Sequence, residues 1–416
     1  MAQRAGAICA TLDLPPGVGD RELTVDARPA DTWLSSRFVP LRSRQDEWNV
    51  RLDMVERARQ FLYVSTYFIE HDDYGLRFLE ALAAAARRGV FVFLGLDGFG
   101  QRLGNYARPR PEQQRLEALL AAAARDGVRL ATYRPATALQ RRLGAGHHVK
   151  IQLSDAGTLL IGSSNLSARS FEGWGEFSAV LDGAIVARAL RDLIDLFALT
   201  DESPRAHAAL LDAHAVSAGP APHRFEYLVH DPNRDAGGWH PLVFGANPIT
   251  DWLVRAVDGA RLSVRLSSFH CKPTATLADA LVRAARRGVR VEIFHSHRAA
   301  LAESELPWLS AAFEYRRFLR AGIRIFESRC GEHSKLFIVD GRWAAFGSYN
   351  AEHAAHERLA ELMVASGDPR VVAALDEVLT RMAASADVSP VLQAPADARL
   401  AARLGWMFWR PLRRWL

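Results

Sequence analysis

Apolar stretches and amphipathic stretches alternate along the chain in the order strand, helix, strand. An apolar stretch at 61–68 is followed by a segment with Leu and Ala at three- and four-residue spacing, which ends in Arg87-Arg88-Gly89. A second apolar stretch follows at 90–96. Cations in the last turn and Gly just past it are typical of a helix C-terminus. Strands that alternate with helices predict βαβ units and a largely parallel sheet.

The same pattern occurs twice. The helix end Leu-x-x-Ala-Ala-Arg-Arg-Gly-Val-x-Val at 82–92 recurs at 281–291, between apolar stretches at 262–269 and 289–294. A repeat of this length indicates two copies of one structural unit. We therefore predict two α/β halves of similar fold in one chain.

The repeat also sets the expected domain boundaries. We predict an N-terminal extension at 1–40, a first domain at 41–199, a linker at 200–224, a second domain at 225–385 and a C-terminal tail at 386–416. The linker assignment depends on a segment rich in Pro, Ala and polar residues, which is a composition typical of connections.

Composition narrows the class of protein. The 416 residues are 49% hydrophobic and 24% charged, with a formal net charge of +5, which is typical of a globular protein of two or three domains and excludes disordered and fibrous classes. No run of about 18 apolar residues predicts a spanning helix, and the N-terminus is too brief for a signal peptide. Three widely spaced cysteines favour a reducing compartment.

A doubled polar motif carries the candidate chemistry. Each copy reads His-x-Lys, four residues, Asp, then Gly-Ser-x-Asn, with a Glu after the Asn at the same spacing. The matching positions in the first and second copy are His148 and His333, Lys150 and Lys335, Asp155 and Asp340, Ser163 and Ser348, Asn165 and Asn350, and Glu176 and Glu361.

Strand geometry predicts that these side chains converge. A His and a Lys two residues apart share one face of a strand, and Asp340-Gly341 is a hairpin turn signal, so the return strand brings Ser and Asn back beside them. An imidazole, an ammonium, a hydroxyl and an amide together suit a phosphate. The motif aspartates are expected to cap the turns rather than to take part in the chemistry.

A metal ion is not predicted at this motif, because a Lys beside each His would repel a cation. Elsewhere in the chain, five residues of types that bind zinc form an alternative candidate for a metal site: His270, Cys271, His295, His297 and Cys330. They lack a Cys-x-x-Cys or comparable spacing. We therefore predict neither a metal nor any other cofactor.

Two half-sites that face each other would place two imidazoles on one phosphodiester. One His would attack phosphorus to form a phosphohistidine, and the other would protonate the leaving oxygen and then deprotonate the incoming alcohol or water. The Lys and Asn side chains would stabilise charge on the non-bridging oxygens. Glu176 or Glu361 would fix the tautomer of one imidazole. The spacing leaves open which His is the nucleophile.

The doubled motif resembles that of the phospholipase D superfamily, and its flanking sequence is similar to the cardiolipin synthase branch of bacterial phospholipid synthases. Three segments carry the branch resemblance: Tyr67-Phe68-Ile69-Glu70-His71-Asp72-Asp73-Tyr74-Gly75, Asn165-Leu166-x-x-Arg169-Ser170-Phe171, and Val339-Asp340-Gly341-Arg342-Trp343. The resemblance covers roughly 45–380. It implies two homologous α/β/α sandwich halves with mixed, largely parallel sheets, related by a pseudo-twofold axis with one active site between them.

This resemblance also implies a function. It implies a metal-independent phosphatidyltransferase that makes cardiolipin from anionic phospholipid, with His148 as nucleophile, His333 as acid and base, and an acceptor alcohol such as phosphatidylglycerol. A phospholipase D that hydrolyses phospholipid to phosphatidic acid, a nuclease or other phosphodiesterase, and a membrane scaffold with an idle site remain open. Proteins that bind nucleic acid typically have a strongly basic groove. The mild net charge of +5 therefore argues against a nucleic-acid partner.

Two segments depart from the family pattern. Residues 268–273 read Ser-Phe-His-Cys-Lys-Pro in place of Tyr-Phe-x-Pro, and 351–356 read Ala-Glu-His-Ala-Ala-His in place of Leu-Asp-x-Arg-Ser. Both segments are expected near the active site, so they bear on the identity of the acceptor. Candidate substrate-binding residues are His270, Arg141 and Arg142.

The C-terminal tail combines cations with tryptophan. Residues 399–416 contain five Arg, three Trp and no acid, which is typical of an interfacial membrane anchor. The alternative is a helix that packs its aromatic side chains on the domain surface. We expect a cytoplasmic protein peripherally associated with the inner membrane, and the Ala- and Arg-rich composition is typical of a bacterium with a GC-rich genome. The oligomeric state is not predicted.

Overall fold

The computed structural model describes residues 33–106, 108–219, 221–234, 245–301 and 305–395. The predicted membrane-contacting tail at 399–416 lies outside the described residues. Within the described part of the chain, no helix is long and apolar enough to cross a membrane.

The first half and the connection after it contain nine strands and seven α-helices in the described ranges. In chain order these are β1 (Trp33–Ser36), β2 (Phe38–Pro40), α1 (Arg44–Arg57), β3 (Phe61–Thr66), α2 (Asp73–Arg87), β4 (Phe91–Asp97), α3 (Gly98–Tyr106), α4 (Arg110–Arg125), β5 (Arg129–Tyr133), α5 (Ala138–Arg142), β6 (Gly146–His147), β7 (Ile151–Ser154), β8 (Thr158–Gly162), β9 (Ser178–Asp182), α6 (Ala184–Leu196) and α7 (Glu202–Ala218).

The second half repeats the order of the first. Its elements are β10 (His223–His230), α8 (Pro248–Gly259), β11 (Ser263–Ser268), α9 (Ala275–Arg286), β12 (Arg290–Ser296), α10 (Leu306–Ala312), α11 (Tyr315–Arg320), β13 (Arg324–Ser328), β14 (Leu336–Val339), β15 (Trp343–Gly347), α12 (His353–Glu357), β16 (Leu359–Ser366), α13 (Pro369–Ala383) and β17 (Val388–Pro390).

The repeated helices α2 and α9 begin and end where their sequences predict. The Asp72 carboxylate accepts a hydrogen bond from the Gly75 N–H at the start of α2, and the Thr274 hydroxyl accepts one from Leu277 at the start of α9. Both helices are followed by a glycine with positive φ, +88° at Gly89 and +89° at Gly288. A residue without Cβ adopts this conformation at little cost, so after each of the two helices the chain turns directly into the next strand.

The strands form two mixed sheets, one for each half. The first has the order β2-β9-β8-β7-β3-β4-β5, and the second has the order β1-β10-β16-β15-β14-β11-β12-β13-β17 with β6 beside β16. The predicted two-half α/β architecture is confirmed. The prediction of largely parallel sheets is wrong: β3-β4-β5 and β11-β12-β13 are parallel, but most other described pairs are antiparallel. The reason is that each motif hairpin and its following strand extend the βαβ unit with antiparallel strands.

Segments outside the predicted domains join the sheets. Strand β1, from the predicted N-terminal extension, pairs with β10 of the second sheet, whereas β2 pairs with β9 of the first. Most of the predicted linker 200–224 forms α7 and the start of β10, and β17 of the predicted tail pairs with β13. The chain therefore crosses between the two halves at several points.

Apolar packing covers both faces of each sheet. Helices α1, α2 and α4 cover the outer face of the first sheet, and α8 and α9 cover that of the second. A central core joins the inner faces through α6 and α13. Within it Phe177 of the first half meets Phe346 of the second edge to face, with ring centroids 5.1 Å apart. Burial of this shared apolar surface holds the halves in a fixed relation.

Candidate active site

The two motif hairpins β7–β8 and β14–β15 bring the candidate residues to one place between the halves. In each half the His and Lys precede the first hairpin strand, and the Ser and Asn follow the second. All eight residues predicted to carry the chemistry are buried: His148, His333, Lys150, Lys335, Asn165, Asn350, Glu176 and Glu361. A buried arrangement of this kind strengthens electrostatic interactions with a bound charge.

Each imidazole is paired with the carboxylate of the opposite half. The Nδ1 of His148 lies 3.1 Å from Glu361 Oε1, and the Nδ1 of His333 lies 2.9 and 2.8 Å from the two Glu176 oxygens. A carboxylate acceptor at Nδ1 favours a proton on that nitrogen and leaves Nε2 to react. The crossing itself was not predicted, because the spacing within one half does not reveal which half its Glu serves.

Two backbone contacts explain the crossing. The His148 N–H donates to the Ala360 carbonyl at 2.8 Å, and the His333 N–H donates to the Gly175 carbonyl at 2.7 Å. Ala360 and Gly175 each directly precede the Glu that pairs with that His. Strand β6, just before His148, runs parallel to β16, and Gly175 forms a parallel bridge with Glu332, just before His333. Backbone pairing between the halves therefore sets each imidazole beside the carboxylate of the other half.

The carboxylates are held in turn by the motif serines. The Ser163 hydroxyl donates to Glu176 in the first half, and the Ser348 hydroxyl donates to Glu361 in the second. Burial raises the pKa of both glutamates. These serines act on the imidazoles through the carboxylates that they orient.

Burial and nearby cations keep the imidazoles neutral in the unliganded site. Burial first, and the motif lysines second, lower the pKa of His148 and of His333 well below the usual range. Burial lowers the pKa of Lys335 to about 8, and burial together with the Lys335 charge lowers the pKa of Lys150. An anionic phosphodiester would relieve this repulsion, so the electrostatics of the site favour an anion.

The two imidazoles have different surroundings. His333 stacks on the Trp174 ring at 4.8 Å and 27° and meets the Phe269 ring edge-on at 4.8 Å. His148 meets the Tyr67 ring edge-on at 4.8 Å and 85°, and its Nδ1 also lies 2.9 Å from the Ser348 carbonyl oxygen. These aromatic contacts were not predicted as site residues, although Tyr67 belongs to the quoted family segment and Trp174 lies close to Glu176 in sequence.

The two motif asparagines also differ. The Asn350 Oδ1 accepts from the Phe269 N–H at 3.2 Å, and its Nδ2 donates to Glu352 at 3.1 Å. Both amide atoms of Asn165 are buried, and neither makes a hydrogen bond within the described structure. The first half-site therefore holds an amide that is free to bind a ligand oxygen.

The segments that depart from the family pattern lie at the site, as expected. The Lys272 N–H donates to the Ala351 carbonyl, and its ammonium lies 3.5 Å from Glu352. At the matching place in the first half the charges are reversed, because the buried Glu70 is paired with Arg108 at 2.7 Å. The two ends of the site thus offer different polar surroundings to a substrate.

The remaining predicted residues differ in their burial and in their contacts. His270 packs beside Phe269, with ring centroids 4.4 Å apart, and burial lowers its pKa. Arg141 and Arg142 are exposed at the end of α5. Asp155 accepts backbone N–H groups near the start of β3, and Asp340 does so near the start of β11. These aspartates lie at the far end of the hairpins from the histidines.

No group of three or more His, Cys, Asp or Glu among the described residues is arranged to hold a metal ion. His295, considered above for a zinc site, instead lies 2.6 Å from the Tyr315 hydroxyl, and Tyr315 donates to Glu327.

Comparison with known proteins places these features in context. The model of the family described as cardiolipin synthase, PLD-like domain, matches residues 52–196 and 253–383. Cardiolipin synthase B of Salmonella typhi is 24% identical over 338 residues, which cover 77% of this chain and 74% of that protein. Cardiolipin synthase A of Pseudomonas aeruginosa (strain LESB58) is 25% identical over 387 residues, which cover 90% and 71%.

A solved structure shares the fold. Phosphatidylserine synthase of Haemophilus influenzae Rd KW20 superposes with a TM-score of 0.69 at 13% sequence identity, covering 92% of this chain and 97% of that one. Likeness at this level of identity shows the fold alone.

Proposed function

The chain belongs to the family described as cardiolipin synthase, PLD-like domain, and we propose that it transfers a phosphatidyl group from an anionic phospholipid to the hydroxyl of a second lipid such as phosphatidylglycerol. It is a phosphatidyltransferase of the phospholipase D superfamily. The observation that carries the finer proposal is the crossed pair of imidazole–carboxylate contacts in a site that favours an anion.

In the first step His148 Nε2 attacks the phosphorus of the donor. An N–P bond forms and the P–O bond to the headgroup breaks. His333, which gains an Nε2 proton when the anionic donor binds and relieves the repulsion from the lysines, gives that proton to the leaving oxygen. The difference between the imidazoles supports this assignment. His333 Nδ1 faces both Glu176 oxygens, which stabilise an imidazolium, whereas His148 shares its Nδ1 between one carboxylate oxygen and a carbonyl.

In the second step the acceptor hydroxyl gives its proton to His333 and attacks the same phosphorus. The N–P bond breaks, the new P–O bond forms, and neutral His148 is restored. Charge on the non-bridging oxygens is stabilised in both steps by the motif lysines and asparagines. The free amide of Asn165 supports a role as a donor to one of these oxygens.

The proposed acceptor is an alcohol, and water is the alternative. Both acceptors use the same residues, and the choice depends on whether water is excluded after the headgroup leaves. The relatives named cardiolipin synthase B and cardiolipin synthase A support an alcohol as the acceptor.

Incubation with phosphatidylglycerol vesicles without divalent metal tests this proposal. We expect cardiolipin and free glycerol, resolved by lipid chromatography and mass spectrometry, and no product from His148→Asn. Phosphatidic acid as the sole lipid product would identify water as the acceptor. Absence of product from the intact chain, with cleavage of a phosphodiester oligonucleotide, would contradict the proposed substrate class.

A further inference from the structure

Helix α3 presents a face with apolar side chains and one cation to solvent. Phe99, Arg102, Leu103 and Tyr106 fall within an arc of about 100° on this helix, since each residue turns by roughly 100°. Leu103 is 48% exposed and Tyr106 is 77% exposed. Exposed aliphatic and aromatic groups that share one face of a helix mark an interaction surface more often than isolated ones do.

This face lies next to the candidate active site. The buried side of α3 carries Gly100 and Gly104, where an added Cβ would lie 2.5 Å from the Tyr67 ring and 2.9 Å from the Phe68 ring. The Tyr67 ring in turn lies 4.8 Å from the His148 ring. The two glycines thus let α3 pack closely on the residues that border the nucleophile, while its other side faces outwards.

Helix α5 ends next to α3 and also exposes an apolar side chain and two cations. Leu139 is 50% exposed, and Arg141 and Arg142 beside it are exposed. A Cβ at Gly144, just past α5, would lie 3.6 Å from the Phe99 ring of α3, so the two helices adjoin. Neither α3 nor α5 contains an acidic residue. We call the surface formed by six side chains of these helices the rim: Arg102, Leu103, Tyr106, Leu139, Arg141 and Arg142.

We propose that the rim docks on an anionic lipid bilayer and holds the active site at the membrane surface. The inference rests on the proposed function, because a phosphatidyl donor resides in a bilayer. Apolar side chains flanked by Arg match the chemistry of an interface of acyl chains and negative headgroups. An exposed acid, Glu117 of α4, lines one groove with Arg102 and Tyr106, so cations outnumber acids at the rim. Leu103 and Leu139 favour lipid over nucleic acid, which prefers aromatic stacking platforms along a basic groove.

The test compares two double variants of the full chain. L103S/Y106S removes the apolar part of the rim. V216S/L262S is the matched control, because Val216 is 82% exposed on α7 and Leu262 is 66% exposed just before β11. We expect L103S/Y106S to lose about tenfold or more in the ratio of bound to free protein in flotation with phosphatidylglycerol vesicles, and the control to stay within twofold of the unaltered chain.

A second variant tests the charge of the rim. R102Q/R141Q/R142Q is expected to lower the preference for phosphatidylglycerol over phosphatidylcholine vesicles on the order of a hundredfold, from the attraction of each cation to an anionic surface. An unchanged preference would contradict the electrostatic part of the proposal.

Activity measurements separate this proposal from the proposed function. L103S/Y106S should turn over vesicle lipid more slowly, while transfer from a short-chain phosphatidylglycerol below its critical micelle concentration stays within twofold of the unaltered chain. If the unaltered chain binds vesicles through the rim but transfers nothing, the proposed function fails and the docking surface stands. If L103S/Y106S binds and turns over vesicles like V216S/L262S, or loses binding only to oligonucleotides, the docking proposal is overturned.

Discussion

At the scale of single residues, the site depends on how each ring nitrogen is occupied. A carboxylate from the opposite half faces the Nδ1 of His148 and of His333, which leaves both Nε2 atoms for phosphorus and for proton transfer. In the proposed mechanism the two carboxylates nevertheless have different roles, because one supports a nucleophile and the other supports an acid. This difference leads to a prediction for each.

Glu176→Gln should slow transfer most when the leaving group needs a proton. Loss of the carboxylate removes support for the His333 imidazolium, so kcat/KM should fall by about two to three orders of magnitude with a glycerol leaving group. With a p-nitrophenol leaving group, which departs without a proton, the fall should be much smaller. Glu361→Gln is the matched variant. It should lower kcat/KM by the same factor with both leaving groups, because His148 must attack in either case. Equal sensitivity of both variants to the leaving group would contradict the assigned roles.

The pKa of Lys335 predicts a change of slope in the pH profile near pH 8. Burial lowers this pKa to about 8, so the stabilising ammonium is present below about pH 8 and is lost as pH rises through that value. We expect kcat/KM, which reports on the free enzyme, to fall more steeply above this pH than below it, because the Lys335 charge is lost in addition to the His333 proton. In Lys335→Arg the guanidinium stays charged, so whatever activity remains should lose the change of slope near pH 8. A change of slope that persists in this variant would exclude Lys335 as its cause.

At the scale of elements, short parallel contacts between the halves place the two imidazoles. Strand β6 lies beside β16, and a bridge joins Gly175 to Glu332 at the matching place before His333. The buried Asn233 supports the first of these contacts, since its Nδ2 donates to the carbonyls of Gly146 at 3.2 Å and Arg358 at 2.7 Å. Precise placement of His148 therefore depends on this amide.

Asn233→Ala should lower both stability and activity. Two buried carbonyls lose a donor, which costs about 1–3 kcal/mol of the free energy of unfolding, and kcat should fall because β6 is held less firmly. Denaturant unfolding and kcat measurements check this. Asn49→Ala, at an exposed position of α1, is the control and should change neither. An Asn233→Ala protein with unaltered kcat would show that the amide does not position His148.

Much of the element pattern could be predicted from the sequence, since it depends on local signals. The helix ends at Gly89 and Gly288 and both motif hairpins follow from turn and capping chemistry. The crossing of Glu176 and Glu361 and the stacking of Trp174 on His333 could not be predicted, because they depend on pairings between residues far apart in sequence. The prediction of largely parallel sheets was wrong because it depended on the βαβ units and left out the antiparallel strands that the motif hairpins and the following strands β9 and β16 add.

At the scale of the whole molecule, the two halves act as one unit. They share a central apolar core, and each half supplies the carboxylate that pairs with the imidazole of the other half. Strands β1 and β2, from outside the repeat, pair with the second and the first sheet, respectively. A single chain therefore supplies both imidazoles, both lysines and both asparagines. The rim beside this site is the proposed contact with the bilayer that contains the lipid substrate.

The central claim is that His148 carries the phosphatidyl group during transfer. The most direct measurement is mass spectrometry of peptides from His333→Ala after rapid mixing with a p-nitrophenyl phosphatidyl donor at neutral pH. This donor needs no acid for its first step, and loss of His333 slows attack by the acceptor, so the covalent intermediate should accumulate on the peptide that contains His148. Release of p-nitrophenol with no modified peptide, or with the phosphatidyl group on another residue, would contradict the account.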